Sequence, residues 1–206
     1  MLIVSYKKRQ QKHKEEFKAE ILDAALTLFA DEGYAKFSMR KLAAKIDHSP
    51  TTIYLYFRDK DDLLFHICEN LYVSLLVKMQ ELREMPMSPH EVLKAACLHY
   101  IHYSLTHPEQ YKVVFFSNPH LYGPPEEYYS RDTMSRHCWI NICDLVDACI
   151  QNGFFRPMDC NTLATVLWSA IHGLVSSLIF TKDFPMPDPD IMAEMLLEGL
   201  FKGYQA

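Results

Sequence analysis

One short stretch of the chain carries side chains that are suited to reading a nucleic acid. In a helical conformation, Thr51, Thr52 and Tyr56 lie towards one side, while Ile53 and Phe57 return four residues apart to the core. Threonine hydroxyls bond base edges or phosphates, and threonine methyls contact the methyl group of thymine. The same residues would suit an aromatic core helix, so the interpretation depends on the elements that position them.

Two short helices, at 39–46 and 50–57, are predicted on either side of Asp47-His48-Ser49. Ser38 and Ser49 are good N-caps, and Pro50 occupies a first helical position, where a missing N–H costs nothing. Two short helices joined this closely form a helix-turn-helix, whose second helix lays its N-terminal residues against base edges in the major groove. The context therefore favours DNA recognition over core packing.

The rest of the chain is also predicted to be helical, because apolar residues recur at helical spacing and strand-like alternation is absent. The predicted fold class is all-α. We divide the chain into an N-terminal basic arm with the helix-turn-helix domain, 1–60, and a helical domain, 61–206. The further helices are predicted at about 14–32, 59–83, 89–106, 108–116, 126–152, 161–181 and 189–203.

Charge is distributed unevenly along the chain, whose formal net charge is −5. Residues 1–62 have a net charge of +2, and residues 63–206 have a net charge of −7. Five cations precede the first acidic residue, and they are Lys7, Lys8, Arg9, Lys12 and Lys14. This basic leader either touches DNA phosphates or a minor groove, or it is a solvated, disordered arm.

The sequence predicts a cytoplasmic protein without a membrane partner. Six cysteines without C-x-x-C spacing indicate buried thiols rather than disulfides. The apolar stretch Met1–Val4 is too short for the core of a signal peptide. Leu163 to Phe180 just reaches the length of a membrane span, but polar residues dilute it and no second span accompanies it. We therefore interpret it as a helix buried between other helices.

Several of these elements form one long motif. It reads Ile21-Leu22-Asp23-Ala24-Ala25-Leu26-x-Leu28-Phe29-Ala30-x-x-Gly33-Tyr34, then Ser38-Met39-Arg40, then Thr52-Ile53-Tyr54-Leu55-Tyr56-Phe57-x-x-Lys60-x-x-Leu63-Leu64. In this order and without gaps, the motif resembles the N-terminal DNA-binding domain of TetR-family regulators. Further along, Trp168 to Gly173 resembles the W-x-x-x-H-G element in the C-terminal domain of one TetR subgroup.

The resemblance implies a sequence-specific regulator, in most members a repressor, that a small-molecule effector releases from its operator. It implies a homodimer whose two helix-turn-helix heads read the halves of a palindromic double-stranded DNA site, and whose last two long helices form the dimer interface. It implies a phosphate contact for Lys60. The implied DNA-binding residues are Ser38, Arg40, Ser49, Pro50, Thr51, Thr52, Tyr54, Tyr56 and Lys60.

Asp47 is one departure from the family pattern, which usually has glycine in this turn. Glycine adopts a positive φ freely, whereas aspartate does so at a small cost because its side chain can bond locally. The turn therefore stays compatible with the family.

Aromatic residues of the middle helices are candidates for the effector pocket, since small-molecule sites are mostly apolar. Ordinary core or dimer packing is the alternative for each of them. The candidates are Tyr100, Tyr103, Phe115, Phe116, Trp139, Cys143, Trp168 and His172. His99 and His102 form only a pair, so we expect no metal site and no cofactor.

Two other classes of function remain open. No nucleophile–base spacing, glycine-rich phosphate loop or paired-carboxylate arrangement stands out, so an enzyme is not expected, and no catalytic residue is assigned. A small-molecule binding protein or enzyme with a structural helix-turn-helix is one alternative. A peripheral membrane protein that uses the leader and the apolar helix is the other.

Overall fold

The structure is a computed structural model that describes residues 2–117, 121–124, 128, 130–181 and 183–206, with side chains from residue 8 onward. Within these ranges the chain is all-α, as predicted, and its only β-type pairing is an isolated antiparallel bridge between Phe155 and Gln205. The helices are α1 (Leu2–Glu32), α2 (Met39–Lys45), α3 (Pro50–Tyr54), α4 (Lys60–Arg83), α5 (Pro89–Thr106), α6 (Pro108–Phe116), α7 (Met134–Gln151), α8 (Cys160–Phe180) and α9 (Pro189–Tyr204).

The predicted start of α1, at about residue 14, is wrong. The helix begins at Leu2, so the basic leader is helical. Residues 8–16 are exposed and lack apolar periodicity, but lysine, glutamine and glutamate are good helix formers. Gln11 and Glu15 are also joined four residues apart, with 2.7 Å between the amide nitrogen and the carboxylate oxygen.

The predicted start of α7, at residue 126, is also wrong. The helix begins at Met134, because Thr133 adopts an extended conformation and its side chain accepts the N–H of Arg136 at 3.2 Å. Residues 131–133 are therefore outside the helix, and residue 126 lies outside the described part of the chain. The predicted bounds of α5 and α6 are confirmed.

The chain divides into two compact units. The first unit contains Met1–Asn70 and Glu109–Glu126, and the second contains Leu71–Pro108 and Glu127–Ala206. The boundary between the two packed units thus falls inside α4. The predicted boundary between a DNA-binding domain and a second domain at residue 60 stays a prediction.

The core of the first unit fixes the helix-turn-helix. Ile53 and Phe57 are buried, as predicted, at 0% and 1% exposure. The ring of Phe29 stacks on that of Phe37 with centroids 4.1 Å apart. Gly33 ends α1 with a φ of 76°, and its N–H donates to the carbonyl of Phe29 at 3.0 Å.

In the second unit α5, α7 and α8 pack against one another, and α9 packs on α5 and α8. Helix α8 is long and apolar enough to cross a membrane by length and composition, but only 33% of its most apolar window is buried. The predicted burial of this helix between other helices is therefore only partial within one chain. A single stripe is buried, formed by Leu163, Ala164, Leu167, Ile171, Val175 and Ile179.

The end of α9 is bonded to the connection between α7 and α8, in a feature that we call the C-terminal clasp. The N–H of Arg156 donates to the carbonyl of Tyr204 at 3.0 Å, and the N–H of Ala206 donates to that of Phe154 at 3.1 Å. Phe155 and Phe201 add an edge-to-face ring contact with centroids 5.3 Å apart. Two backbone hydrogen bonds and one ring contact therefore hold α9 at this end.

All six cysteines are free thiols. Burial raises the pKa of Cys68 and Cys97 to about 12, so both remain protonated at neutral pH. These two residues act as small apolar side chains, as predicted.

Candidate nucleic-acid interface

The second helix of the motif, α3, is held at its start by Ser49. The Ser49 hydroxyl accepts the backbone N–H of Thr52 at 3.1 Å and lies 2.9 Å from the Thr52 hydroxyl. Pro50 occupies the first helical position. The cap satisfies an N–H group that would otherwise be free at the helix start, so a helix of only five residues keeps a defined conformation.

The turn before α3 contains a left-handed residue. Asp47 has a φ of 55°, its N–H donates to the carbonyl of Ala44 at 3.4 Å, and the N–H of His48 donates to that of Ala43 at 2.9 Å. This pair of bonds is a Schellman motif, in which glycine is usually the left-handed residue. The aspartate therefore makes the turn in the expected conformation despite its side chain.

Helix α2 is capped in the same way. The Ser38 hydroxyl accepts the N–H of Lys41 at 3.3 Å. Arg40, in the first turn of this helix, is exposed. Ser38 thus acts first on the backbone of α2, while the guanidinium of Arg40 is accessible to a partner.

The side chains of α3 differ in exposure. Ser49 and Thr51 are exposed, and Tyr54 is 53% exposed. Thr52 and Tyr56 are half-buried, Thr52 beside Ser49 and Tyr56 against Phe17, with ring centroids 5.2 Å apart. The structure therefore presents Thr51 and Tyr54 most fully to a partner.

Lys60, at the start of α4, is held beside Tyr34. Its ammonium lies 3.9 Å from the centroid of the Tyr34 ring and 3.5 Å from the Tyr34 carbonyl oxygen. The Tyr34 hydroxyl donates in turn to the carboxylate of Asp61. Asp59 caps this helix start, because its carboxylate accepts the N–H groups of Asp61 and Asp62, both at 2.9 Å. Lys60 is therefore a positioned cation rather than a freely rotating one.

Six of the eight candidate effector residues lie in the second unit, where five of them take part in two clusters of contacts and Tyr103 stacks on His107. The Tyr100 hydroxyl on α5 lies 2.9 Å from Nδ1 of His172 on α8, and Trp168 stacks on His172 with centroids 4.8 Å apart. Burial lowers the pKa of His172, which favours the neutral ring. The Tyr103 ring stacks on His107 at 4.2 Å.

The second group joins the start of α8 to α7. Trp139 Nε1 donates to the side-chain oxygen of Asn161 at 3.1 Å, and the thiol of Cys143 donates to the same oxygen at 3.8 Å. Phe115 and Phe116 belong to the first unit, where their rings lie 5.0 and 6.1 Å from that of Tyr111. The assignment of these eight residues to one effector pocket stays a prediction.

No group of three or more His, Cys, Asp or Glu side chains that could hold a metal ion occurs in the described part of the chain.

Two family models match the chain. One, for bacterial regulatory proteins of the tetR family, matches residues 21–67. The other, for the tetracyclin repressor-like C-terminal domain, matches residues 93–200, which is more than half of the chain. The chain belongs to the TetR family. It is therefore a helix-turn-helix transcriptional regulator, as the motif predicts.

Curated proteins and solved structures agree with this assignment. The HTH-type transcriptional regulator YhgD of Bacillus subtilis (strain 168) is 26% identical over 186 residues, which cover 90% of this chain and 95% of the relative. FadR of B. subtilis, solved in complex with stearoyl-CoA, has a TM-score of 0.76 at 19% identity, covering 91% of this chain and 99% of that one. FadR of Bacillus halodurans has a TM-score of 0.75 at 17% identity, covering 89% of this chain and 94% of that one.

Sequence reasoning missed three features of this TetR-family site. Tyr34 was quoted as part of the motif, but its position under Lys60 depends on packing between residues 26 positions apart. Leu55 is 76% exposed at the end of α3, and its apolar side chain gave no sign of this exposure. Asn161 follows the cap of α8 by two residues, and nothing in the local sequence indicates that Trp139 and Cys143 meet it.

Proposed function

We propose that this TetR-family protein is a repressor that binds a palindromic operator as a homodimer and leaves it when a small molecule binds the second unit. The observation that carries the DNA-binding part is the pairing of a capped, outward-facing α3 with a positioned cation at the start of α4. Thr51 and Tyr54 supply groups for base edges, and Lys60 supplies a charge for a phosphate.

The homodimer proposal rests on apolar side chains that one chain leaves exposed on and between its last two helices. Phe180 and Phe184 are 50% and 59% exposed, and Ile191 and Met195 are 58% and 69% exposed. Large apolar side chains exposed to this extent, four of them within 16 residues of the chain, are candidates for a protein interface. Two copies related by a twofold axis would cover the same surface on each other and would carry two helix-turn-helix heads, as a palindromic site requires.

The effector proposal rests on the second unit. Tyr100 and His172 place a hydroxyl and a neutral imidazole between α5 and α8, beside the indole of Trp168. Such a group of mostly apolar rings with few polar atoms suits an apolar molecule that carries one polar group. Because the FadR structure with the same fold contains stearoyl-CoA, a long-chain acyl-CoA is the first effector class to test.

The same proposal makes the protein a cytoplasmic regulator without catalytic activity. Neutral pH keeps the buried thiols Cys68 and Cys97 protonated, which removes the nucleophilic form of both. The exposed face of α8 is then a face for the second copy rather than for lipid.

The first test is fluorescence anisotropy with labelled DNA from upstream of the protein's own coding region, across a salt series with random DNA as competitor. We expect binding that survives competition and weakens steeply with salt. Lys60→Ala should flatten the slope of log binding constant against log salt by about one unit on every sequence. Thr51→Ala, which removes an exposed side chain of α3 and leaves the Ser49 cap on Thr52 in place, should instead relax the preference between bases.

Lys202→Ala is the control for the loss of one positive charge, because this exposed lysine lies in the last turn of α9. The salt slope of this variant should equal that of the wild type. Stearoyl-CoA should lower the anisotropy of the wild-type complex. Binding no stronger than to random DNA, both here and after selection from genome fragments, would refute the repressor proposal.

A further inference from the structure

The first part of α1 extends beyond the core of the first unit. Phe17 is the first residue of this helix that packs against that core, and residues 8–16 are exposed. At 1.5 Å per residue, the helix continues for about 13 Å from Phe17 to Lys8. That length is close to the width of the major groove of DNA, about 12 Å. We call residues 8–16 the α1 extension.

A groove of about 1000 Å³ lies between the α1 extension and the helix-turn-helix. Its floor is aromatic, because the Phe17 ring lies 4.7 Å from that of His48 and 5.2 Å from that of Tyr56, between centroids. Its wall on the extension includes Arg9 and Lys14. His48 directly precedes Ser49, the cap of α3, so the groove is continuous with the surface that carries the DNA-binding residues.

We propose that this groove receives the sugar-phosphate backbone beside the major groove that α3 enters, and that Arg9 and Lys14 each contact a phosphate there. The inference rests on the proposed function, since it requires α3 to be seated on DNA. It adds a contact surface outside the helix-turn-helix and assigns phosphate-binding roles to two residues of the leader.

The order of charges along α1 supports phosphate as the occupant. Five basic residues precede Glu15, the first acidic residue of the chain, so the part of the extension farthest from the core is cationic. The first carboxylates that line the groove, Glu16 and Glu20, lie nearer to the core. Glu16 is already 3.7 Å from the ammonium of Lys12 and 3.7 Å from His13. A polyanion is therefore attracted to the outer part of the groove, where Arg9 and Lys14 lie.

The helical state of the leader makes the contact effective. A disordered arm would lose backbone conformational entropy when it settles on DNA, and that loss would weaken binding. The extension is already helical within α1, so its cations have a fixed spacing before DNA arrives. The cations on the helix face that lines the groove and those on the opposite face can therefore be removed in separate variants.

The test compares two double variants of the full chain by the anisotropy salt series. The probe is a duplex selected from a random-sequence pool on the wild-type protein. Arg9→Ala with Lys14→Ala removes two charges that line the groove, and Lys8→Ala with Lys12→Ala removes two charges of the same helix that do not line it. We expect the first pair to flatten the salt slope by about two units, and the second pair to change it by less than about half a unit. Circular dichroism melts check that both variants keep their helices.

A second duplex, shortened at both ends by about four base pairs, lacks the flanking phosphates. On this shorter duplex, the two double variants should therefore give equal salt slopes. Equal losses for both pairs on the long duplex would mean a diffuse charge effect and would overturn the inference. So would an unchanged slope for Arg9→Ala with Lys14→Ala. If Lys60→Ala still flattens the slope in either case, the proposed function stands. If the wild-type protein selects no sequence from the pool, the proposed function itself fails.

Discussion

The caps that hold α2 and α3 in the first unit bond to neighbours along the chain, whereas two polar contacts of the second unit join different helices. Ser49 accepts an N–H from three residues further on. Tyr100 instead meets His172, 72 positions away, and Trp139 meets Asn161, 22 positions away. The first arrangement depends on helix caps, and the second depends on how three long helices pack.

This difference bears on how the two sites tolerate change. A helix cap depends only on residues that are close in the sequence. A DNA-binding surface whose helices are held by caps therefore persists when side chains elsewhere vary. Contacts between α5, α7 and α8 exist only at one relative position of these helices. A ligand that binds one such position better than another shifts the population of the whole bundle.

The largest effect is expected from breaking the Tyr100–His172 contact. Tyr100→Phe leaves a half-buried imidazole without this partner and should lower the free energy of unfolding by about 1 kcal/mol. A double-mutant cycle with His172→Phe, measured by urea unfolding, should give a coupling energy of about 0.5–1 kcal/mol. As a control, Tyr100→Phe and Thr162→Ala should be additive, because Thr162 lies ten residues, or about 15 Å, before His172 along α8. A coupling near zero would mean that packing alone holds these helices.

A smaller and opposite effect is expected at the turn before α3. Asp47→Gly relieves about 1–2 kcal/mol of left-handed strain and adds about 0.5–1 kcal/mol of backbone entropy to the unfolded state, so the net gain is about 0.5–1 kcal/mol. Asp47→Ala, which has no local side-chain bond, should lower stability. Urea unfolding followed by circular dichroism checks both variants. A loss of stability in Asp47→Gly would show that the aspartate side chain holds this turn.

The smallest effect concerns acid. Burial is the main cause that lowers the pKa of His66, His99 and His172, and for His66 the charge of Lys18 adds to it. The unfolded chain therefore binds more protons than the folded one below pH 6.5, so stability is present above that pH and is lost as the pH falls. Two of these histidines lie in the second unit, and His99→Gln with His172→Gln should flatten the fall in Tm between pH 7.5 and 5.5 more than His66→Gln does. The reverse order would place the acid-sensitive part in the first unit.

The parts of the fold that sequence reasoning predicted well are those with local signals. Pro89 and Pro108 mark the starts of α5 and α6, and both helices have the predicted bounds. The same reasoning placed the start of α1 too late, because it relied on apolar periodicity in a segment that has none. It placed the start of α7 too early, because no strong turn signal before Thr133 marks the end of the preceding segment.

The candidate sites follow the same rule. Capping predicted the roles of Ser38 and Ser49 without knowledge of packing. The position of Tyr34 beneath Lys60 was not predictable, since it depends on how α1 and α4 meet within the first unit. Among the effector candidates, the stacking of Trp168 on His172 follows from helical spacing, whereas the contact of Tyr100 with His172 depends on how α5 and α8 pack.

The C-terminal clasp has a consequence for how two copies of the protein meet. Helix α9 is fixed at its first turn by the Asp188 cap, in its middle by a 2.6 Å ion pair between Lys94 and Glu194, and at its end by the clasp. Its exposed apolar residues Ile191 and Met195 therefore hold their spacing in a lone chain. Association then requires little ordering of this helix, so more of the contact energy remains as affinity. In the proposed homodimer, each copy would therefore bring this part of the interface already in its bound conformation.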